Sequence, residues 1–199
     1  GGVVGYLTLN PEDIVQPGNR TGLRLKGSYA GANSTFRGSA IAAYKGDVID
    51  LLLGYSQARG EETKNKGSNS AYGPDRSKPN PAETEDRGAI AKLVVRPASG
   101  HKLTGMLEGR EQEATTDIMR VSASMPRVTQ MSGDDESRRV RGSLEYEHAA
   151  QGRFYDRLTA RAYHQVSETH NANRQIRSNA RYSATTGCSA SSSTAPTAN

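Results

Sequence analysis

Apolar and polar residues alternate along the chain from Gly22 onward. In the stretch GLRLKGSYAG, Leu23, Leu25 and Tyr29 take alternate positions, with Arg24 and Lys26 between them. A period of two is typical of a β-strand whose two faces have different surroundings. The pattern therefore predicts a first strand with one apolar face and one charged face.

The same alternation recurs in six further segments of roughly ten residues. They span residues 35–45, 48–57, 87–97, 102–113, 138–148 and 154–166. Short turns after residues 45, 97 and 148 alternate with long polar stretches at 59–86 and 115–137 and in the tail from residue 167. We therefore expect about seven antiparallel strands, with short turns at one rim of the sheet and long loops at the other.

The composition fits a β-sheet in a membrane better than a helical membrane protein. No window approaches the roughly 18 consecutive apolar residues that a spanning helix requires. Only 34% of the residues are hydrophobic, and the mean hydropathy is −0.74. A transmembrane β-barrel keeps such a low average because only alternate residues face lipid. We predict an all-β, antiparallel transmembrane β-barrel with short periplasmic turns and long extracellular loops.

A soluble β-sandwich has the same alternation, and it is the competing fold. Its hidden face normally carries bulky aliphatic residues, whereas this chain uses Gly, Ala and Leu there, with tyrosines near strand ends. The opposite face is charged and is predicted to line a wet lumen. The predicted lumen residues are Arg24, Lys26, Arg37, Lys92, Arg96, Glu108, Arg110, Arg141, Glu145, Glu147, Arg157 and Arg161.

The N-terminal stretch GGVVGYLTLNPEDIVQPGN joins a glycine-rich apolar strand to the first predicted barrel strand. It resembles the exit from the plug domain of TonB-dependent outer-membrane receptors, and most of all the haem and haemoglobin receptor branch. Leu7 and Asn10 depart from that branch's pattern, which often has a basic residue and an aspartate there. The resemblance implies that residues 1–19 end a plug and that residues 20–199 begin a barrel of about 22 strands.

The same resemblance implies a receptor for haem or haemoprotein-derived iron in the outer membrane of a Gram-negative bacterium. The TonB complex would act through plug residues upstream of this chain, and lipopolysaccharide would surround the barrel. Haem would be a transported ligand, so no cofactor of the protein's own is expected. A ferric-siderophore receptor on the same scaffold is the closest alternative, and a passive porin or adhesin barrel is another.

Few residues of the chain are candidates for binding a ligand or a metal ion. His164, near the predicted top of the seventh strand, and His170, at the start of the third long loop, are candidate axial ligands of haem iron. His101 and His148 are read as solvated turn residues. Cys188 has no internal disulfide partner and is either free or bridged outside this chain.

Other classes of function lack their sequence signals. We find no nucleophile elbow, no phosphate loop and no Cys-His metal pattern, so no enzyme and no metal site is expected. Carboxylates cluster at residues 60–62 and 134–136 without the spacing of a calcium loop. The net charge of +5 suggests nucleic acid, but Lys and Arg alternate with acidic residues along strands, so no nucleic-acid partner is expected.

Overall fold

The computed structural model describes residues 9–121, 128–150, 155–177, 180–184 and 188–198, the last two segments by their backbone alone. Within these residues, one short 3-10 helix, Pro11–Asp13, precedes nine strands. The strands are β1 Thr21–Ala30, β2 Thr35–Lys45, β3 Ile49–Glu61, β4 Ala82–Val95, β5 His101–Asp117, β6 Val128–Ala149, β7 Arg157–Arg177, β8 Ala180–Ala184 and β9 Cys188–Ala198. The predicted plug strand within residues 1–8 lies outside the described residues.

All nine of these strands belong to one antiparallel sheet in which each of β1 to β7 pairs with the next along the chain. The last two strands share one edge: β8 pairs with residues 173–177 of β7, and β9 pairs with residues 160–170. The all-β, antiparallel architecture is thus confirmed. Over the described residues, the sheet is open between β1 and the β8–β9 edge. No helix of the described chain is long and apolar enough to cross a membrane.

The register aligns the alternating side chains of β1 to β7 into two unlike faces. On one face, Leu25 lies opposite Ala40, Ala40 opposite Tyr55, and Leu107 opposite Ala91. We call the apolar part of this face the apolar band. Its large side chains are exposed: Leu23, Leu25, Tyr29, Phe36, Tyr44, Ile49, Leu51, Leu53, Tyr55, Leu93, Leu103, Leu107, Val140, Leu144, Leu158 and Val166.

The apolar band covers a limited length of each strand. On β2 it runs from Phe36 to Tyr44, close to the roughly 9–11 residues with which a tilted strand crosses a bilayer. Aromatic side chains lie at both of these ends and at Tyr29 and Tyr146. A contiguous exposed apolar surface of this extent marks a membrane or protein contact rather than a free surface in water.

Strands β3 to β7 continue beyond the apolar band into a polar extension, which includes Arg59, Glu85, Arg87, Glu111 and Arg138. Part of it was predicted as loop. The second long loop was placed at 115–137, but β5 continues to Asp117 and β6 begins at Val128. Both faces of these segments are polar, so the sequence has no two-residue hydrophobic period there although the backbone pairing continues.

The predicted third loop is wrong for the same reason. β7 extends to Arg177, and the Ser- and Thr-rich tail pairs with it as β8 and β9. The strands are also longer than the predicted ten residues, since β6 alone has 22. The first long loop is confirmed over residues 62–81, whereas residues 59–61 and 82–86 of the predicted stretch belong to β3 and β4.

That first loop is fastened to the neighbouring connection. The Tyr72 hydroxyl donates a hydrogen bond to the carbonyl of Val128 at 2.7 Å, and the amide of Gly73 donates to the carbonyl of Met119 at 2.9 Å. The Asn80 side-chain oxygen accepts from the amides of Met119 and Arg120, at 3.0 Å each. Two of the connections at this rim therefore form one hydrogen-bonded cap.

Candidate functional site

The face opposite the apolar band carries all the predicted lumen residues. Lys92 lies opposite Leu52 and Met106, and Arg161 lies opposite Glu145. We call this surface the charged face. The register places on it Arg24, Lys26, Arg37, Lys92, Glu108, Arg110, Arg141, Glu145, Glu147, Arg157 and Arg161. Arg96, which directly follows β4, joins them through its contact with Asp50.

Most of these charges pair across strands. Arg96 contacts Asp50 at 2.5 Å, and the Asp50 side chain is only 3% exposed. Arg110 donates two hydrogen bonds to the Asp86 carboxylate, at 3.1 and 2.5 Å. The further pairs are Arg161–Glu145, Arg141–Glu108 at 3.9 Å, Lys102–Glu147 at 3.3 Å and Arg157–Glu147 at 3.8 Å.

This pairing explains how the sheet tolerates so many charges on one surface. Cross-strand neighbours of opposite sign stabilise the pairing of antiparallel strands. Three partners, Asp50, Asp86 and Lys102, are absent from the predicted set. Their positions follow the same two-residue period, so extending the alternation to the strand ends would have found them.

The N-terminal segment, residues 9–19, packs on the charged face. Pro11–Asp13 forms the 3-10 helix, and the amide of Asn10 donates to the Asp13 carboxylate at 2.7 Å. Beyond it, Ile14 and Val15 are buried against Ala43 and Leu52. This cluster contains the only side chain of the described residues that is fully buried, Leu52. The segment therefore supplies two of the four buried residues of this small core.

Two cations of the sheet hold the backbone of this segment. The Lys92 ammonium, in a side chain that is nearly buried, donates to the Leu9 carbonyl at 3.1 Å and to the Asn10 side-chain oxygen at 2.7 Å. The Arg24 guanidinium donates to the carbonyl of Asp13. Charge-assisted hydrogen bonds of this kind are stronger than neutral ones. Lys92 and Arg24 thus have a specific role that a solvated lumen charge does not.

A glycine permits the close approach of the segment to β1. A Cβ atom added at Gly22 would lie 2.5 Å from the carbonyl oxygen of Ile14, which is a backbone atom. The equivalent atom at Gly27, farther along the same strand, would meet nothing within 4 Å. Gly22 is therefore required by packing, whereas Gly27 is not.

A charged cleft of about 520 Å³ lies between the segment and the sheet. Asn10 and Glu12 of the segment form one side, and Lys92, Lys102 and Glu145 belong to the other. A second cleft, of about 380 Å³, lies farther toward the polar extension and is lined by Arg37, Arg110 and Arg139 among others. The segment covers part of the charged face and leaves polar space for water or a polar ligand on both sides of it.

The two predicted haem-ligand histidines lie elsewhere. His164 lies opposite Gly142 within the apolar band, in the first half of β7 and not near its top. His170 lies opposite Glu136 within β7, so its predicted position at the start of a loop is wrong. Both share the face of the apolar band, and neither is brought to the charged face.

The remaining candidates add no group of three ligands. No cluster of at least three His, Cys, Asp or Glu side chains suited to a metal ion occurs in residues 9–121, 128–150 and 155–177. Cys188 begins β9, and its side chain lies outside the described part of the chain. His101 and His148, predicted to be turn residues, belong to the paired ends of β5 and β6.

No protein-family model matches the chain. No curated protein sequence matches it significantly.

Proposed function

We propose that the chain is part of a TonB-dependent outer-membrane receptor that transports haem or haemoprotein-derived iron. The observation that carries this proposal is the two-faced sheet: one face is an exposed apolar band, and the other is charged and holds the chain's own N-terminal segment. A sheet of this kind is stable if lipid covers the apolar band and water or protein covers the charged face. The outer membrane of a Gram-negative bacterium is the proposed location.

The packing of residues 9–19 favours a receptor over a passive porin or an adhesin barrel. In a plugged barrel, the polypeptide leaving the plug has to cross the inner wall before it enters the first strand. Residues 9–19 lie on the charged face directly before β1, where such a linker belongs. A porin has no plug and needs no such segment.

In the proposed mechanism, ligand binds at the extracellular loops and the plug apex. The TonB complex then acts on the upstream plug and opens a path along the charged face, while lipopolysaccharide contacts the outside of the polar extension. Lys92 and Arg24 would retain the linker on the wall while the plug moves, because they hold its backbone. The protein is proposed to be a transporter and not an enzyme.

The haem assignment is supported by the resemblance of residues 1–19 to the haem receptor branch. His164 and His170 add no support, because both lie on the face of the apolar band. A ferric siderophore is therefore the nearest alternative cargo on the same scaffold.

The experiment is fractionation of cells that express the full-length protein, followed by haem titration of the purified protein in detergent. Outer-membrane location with a saturable shift of the Soret band is the expected result. Outer-membrane location without a shift would overturn the haem assignment and favour a siderophore. A product that is soluble and folded without detergent would contradict the receptor proposal as a whole.

A further inference from the structure

Two histidines meet at one rim of the sheet, where β5 begins and β6 ends. His101 lies directly opposite His148 in the register, on the face of the apolar band. Their rings stack with centroids 4.1 Å apart and an angle of 11° between the planes. Both side chains are half-buried. The adjoining backbone is closed by a hydrogen bond from the amide of Ala149 to the carbonyl of Gly100 at 2.8 Å.

A tyrosine hydroxyl lies at the same ring nitrogen of each histidine. The Nδ1 atom of His101 is 2.7 Å from the Tyr146 hydroxyl, and the Nδ1 atom of His148 is 2.9 Å from the Tyr155 hydroxyl. When the phenol oxygens accept these bonds, both Nδ1 atoms carry the proton and both Nε2 atoms carry a lone pair. Histidines that bind metals usually have this arrangement, in which the second nitrogen donates to a fixed acceptor.

We propose that His101 and His148 form a binding site for a divalent transition-metal ion of the Cu²⁺, Ni²⁺ or Zn²⁺ class, ligated through the two Nε2 atoms. Imidazole suits these ions, and Cu²⁺ binds most tightly among them. With metal–nitrogen bonds of about 2.0–2.1 Å, two adjacent nitrogens lie roughly 3 Å apart. The ring planes are nearly parallel, with centroids 4.1 Å apart, so the two Nε2 lone pairs converge on one ion only after each ring turns about its Cβ–Cγ bond.

The site has open coordination positions. The described residues contain no third His, Cys, Asp or Glu in a metal-binding group here, so water or an added ligand completes the coordination. The bound ion would join the first residue of β5 to the C-terminal end of β6. This site is independent of the transported cargo, because it lies on the opposite face of the sheet from the charged clefts.

The test uses the full-length protein, purified in detergent through a tag that contains no histidine. Cu²⁺ titration is followed by electron paramagnetic resonance in wild type and in the His101→Asn and His148→Asn variants. We expect each variant to lose one Cu²⁺ equivalent with nitrogen ligands, or to bind it at least tenfold more weakly. His164→Asn and His170→Asn are the matched controls and should bind as wild type does. Unchanged binding in both His101→Asn and His148→Asn would overturn the proposal.

A second measurement needs no variant and so does not depend on correct folding of a mutant. Zn²⁺ should protect His101 and His148, but not His170, from modification by diethyl pyrocarbonate, as read by mass spectrometry of the peptides. Equal modification of His101 and His148 with and without Zn²⁺ would also overturn the site. Tyr146→Phe and Tyr155→Phe should retain the ligands but weaken binding by about 10–100-fold, since such partners orient the imidazoles.

Discussion

The two faces of the sheet are built from the same strands but are stabilised in different ways. The charged face balances its cations and carboxylates across strands and is covered in part by residues 9–19. The apolar band has no cover from the described residues, and its leucines remain exposed, Leu23 by 67% and Leu144 by 52%. The chain thus supplies partners and partial cover for its own charged face, whereas cover for the apolar band has to come from outside the described residues.

The largest expected effect comes from placing a charge on the apolar band. Leu144→Arg should destabilise the protein in lipid by about 2–4 kcal/mol, because the guanidinium would lie near the bilayer midplane. Ser143→Arg, one residue earlier on the charged face, is the matched control and should cost much less. Equilibrium unfolding of the full-length protein in vesicles measures both. Equal costs would mean that the two faces have similar surroundings.

Loss of the Lys92 ammonium should release the N-terminal segment. Lys92→Met keeps a long side chain but removes the donors to Leu9 and Asn10, at a cost of roughly 1.5–3 kcal/mol in docking the segment. Hydrogen exchange of the amides in residues 10–19 should accelerate accordingly. Lys26→Met removes an exposed cation from the same face and should leave the exchange unchanged. Identical exchange in both variants would show that Lys92 does not hold the segment.

A methyl group at Gly22 tests how closely the N-terminal segment packs against β1. Gly22→Ala should cost about 1–3 kcal/mol, because the new Cβ atom meets the carbonyl of Ile14 and the backbone has to shift. Gly27→Ala has open space and should be tolerated. Protease sensitivity of residues 9–19 reports the displacement. A segment that is equally resistant in both variants would contradict the packing described for Gly22.

The smallest expected effect is electrostatic and lies in the polar extension, outside the apolar band. Hydrogen bonds from Arg87, Arg59 and Gln57 lower the pKa of Glu85 from its ordinary value of 4.5 to about 2. Because the folded pKa is the lower one, this stabilisation is complete above pH 4.5 and is lost as the pH falls toward 2.

The Glu85→Gln variant should therefore lose part of the acid sensitivity of the wild type between these two pH values. Thermal unfolding midpoints at a series of pH values measure it. Glu83→Gln, an exposed neighbour on β4, should retain the sensitivity of the wild type. A Glu85→Gln profile that follows the wild type throughout would contradict the assigned role of this carboxylate.

The sequence predicts the sheet where its two faces have different surroundings and fails where they do not. Leu23, Leu25 and Tyr29 alternate with charges because the band and the charged face differ, so the first strand is recognisable. In residues 128–137 both faces of the sheet are polar, and the same backbone pairing leaves no hydrophobic period. The alternation of apolar and polar residues therefore indicates that the two faces of a strand have different surroundings, and it is absent from strands whose faces are alike.

The candidate site was predictable only in part. Side-chain parity along each strand is enough to predict that the lumen charges share one face. Lys92 and Asn10 are 82 positions apart in the sequence, so no local sequence pattern predicts their contact. The stacked His101 and His148 depend on a register that the turn lengths alone do not specify. The sequence therefore predicts which face of the sheet each side chain occupies. It does not predict which residues pair across strands or which segment packs on the charged face.

The most direct test of the account is the environment of two adjacent side chains, one on each face. Nitroxide labels at Leu144→Cys and Ser143→Cys, each in a Cys188→Ser background, are compared in vesicles that contain the full-length protein. We predict that the label at residue 144 collides mainly with oxygen dissolved in lipid and the label at residue 143 mainly with a water-soluble nickel chelate. The same accessibility profile at both positions would contradict the assignment of lipid to the apolar band and of water to the charged face.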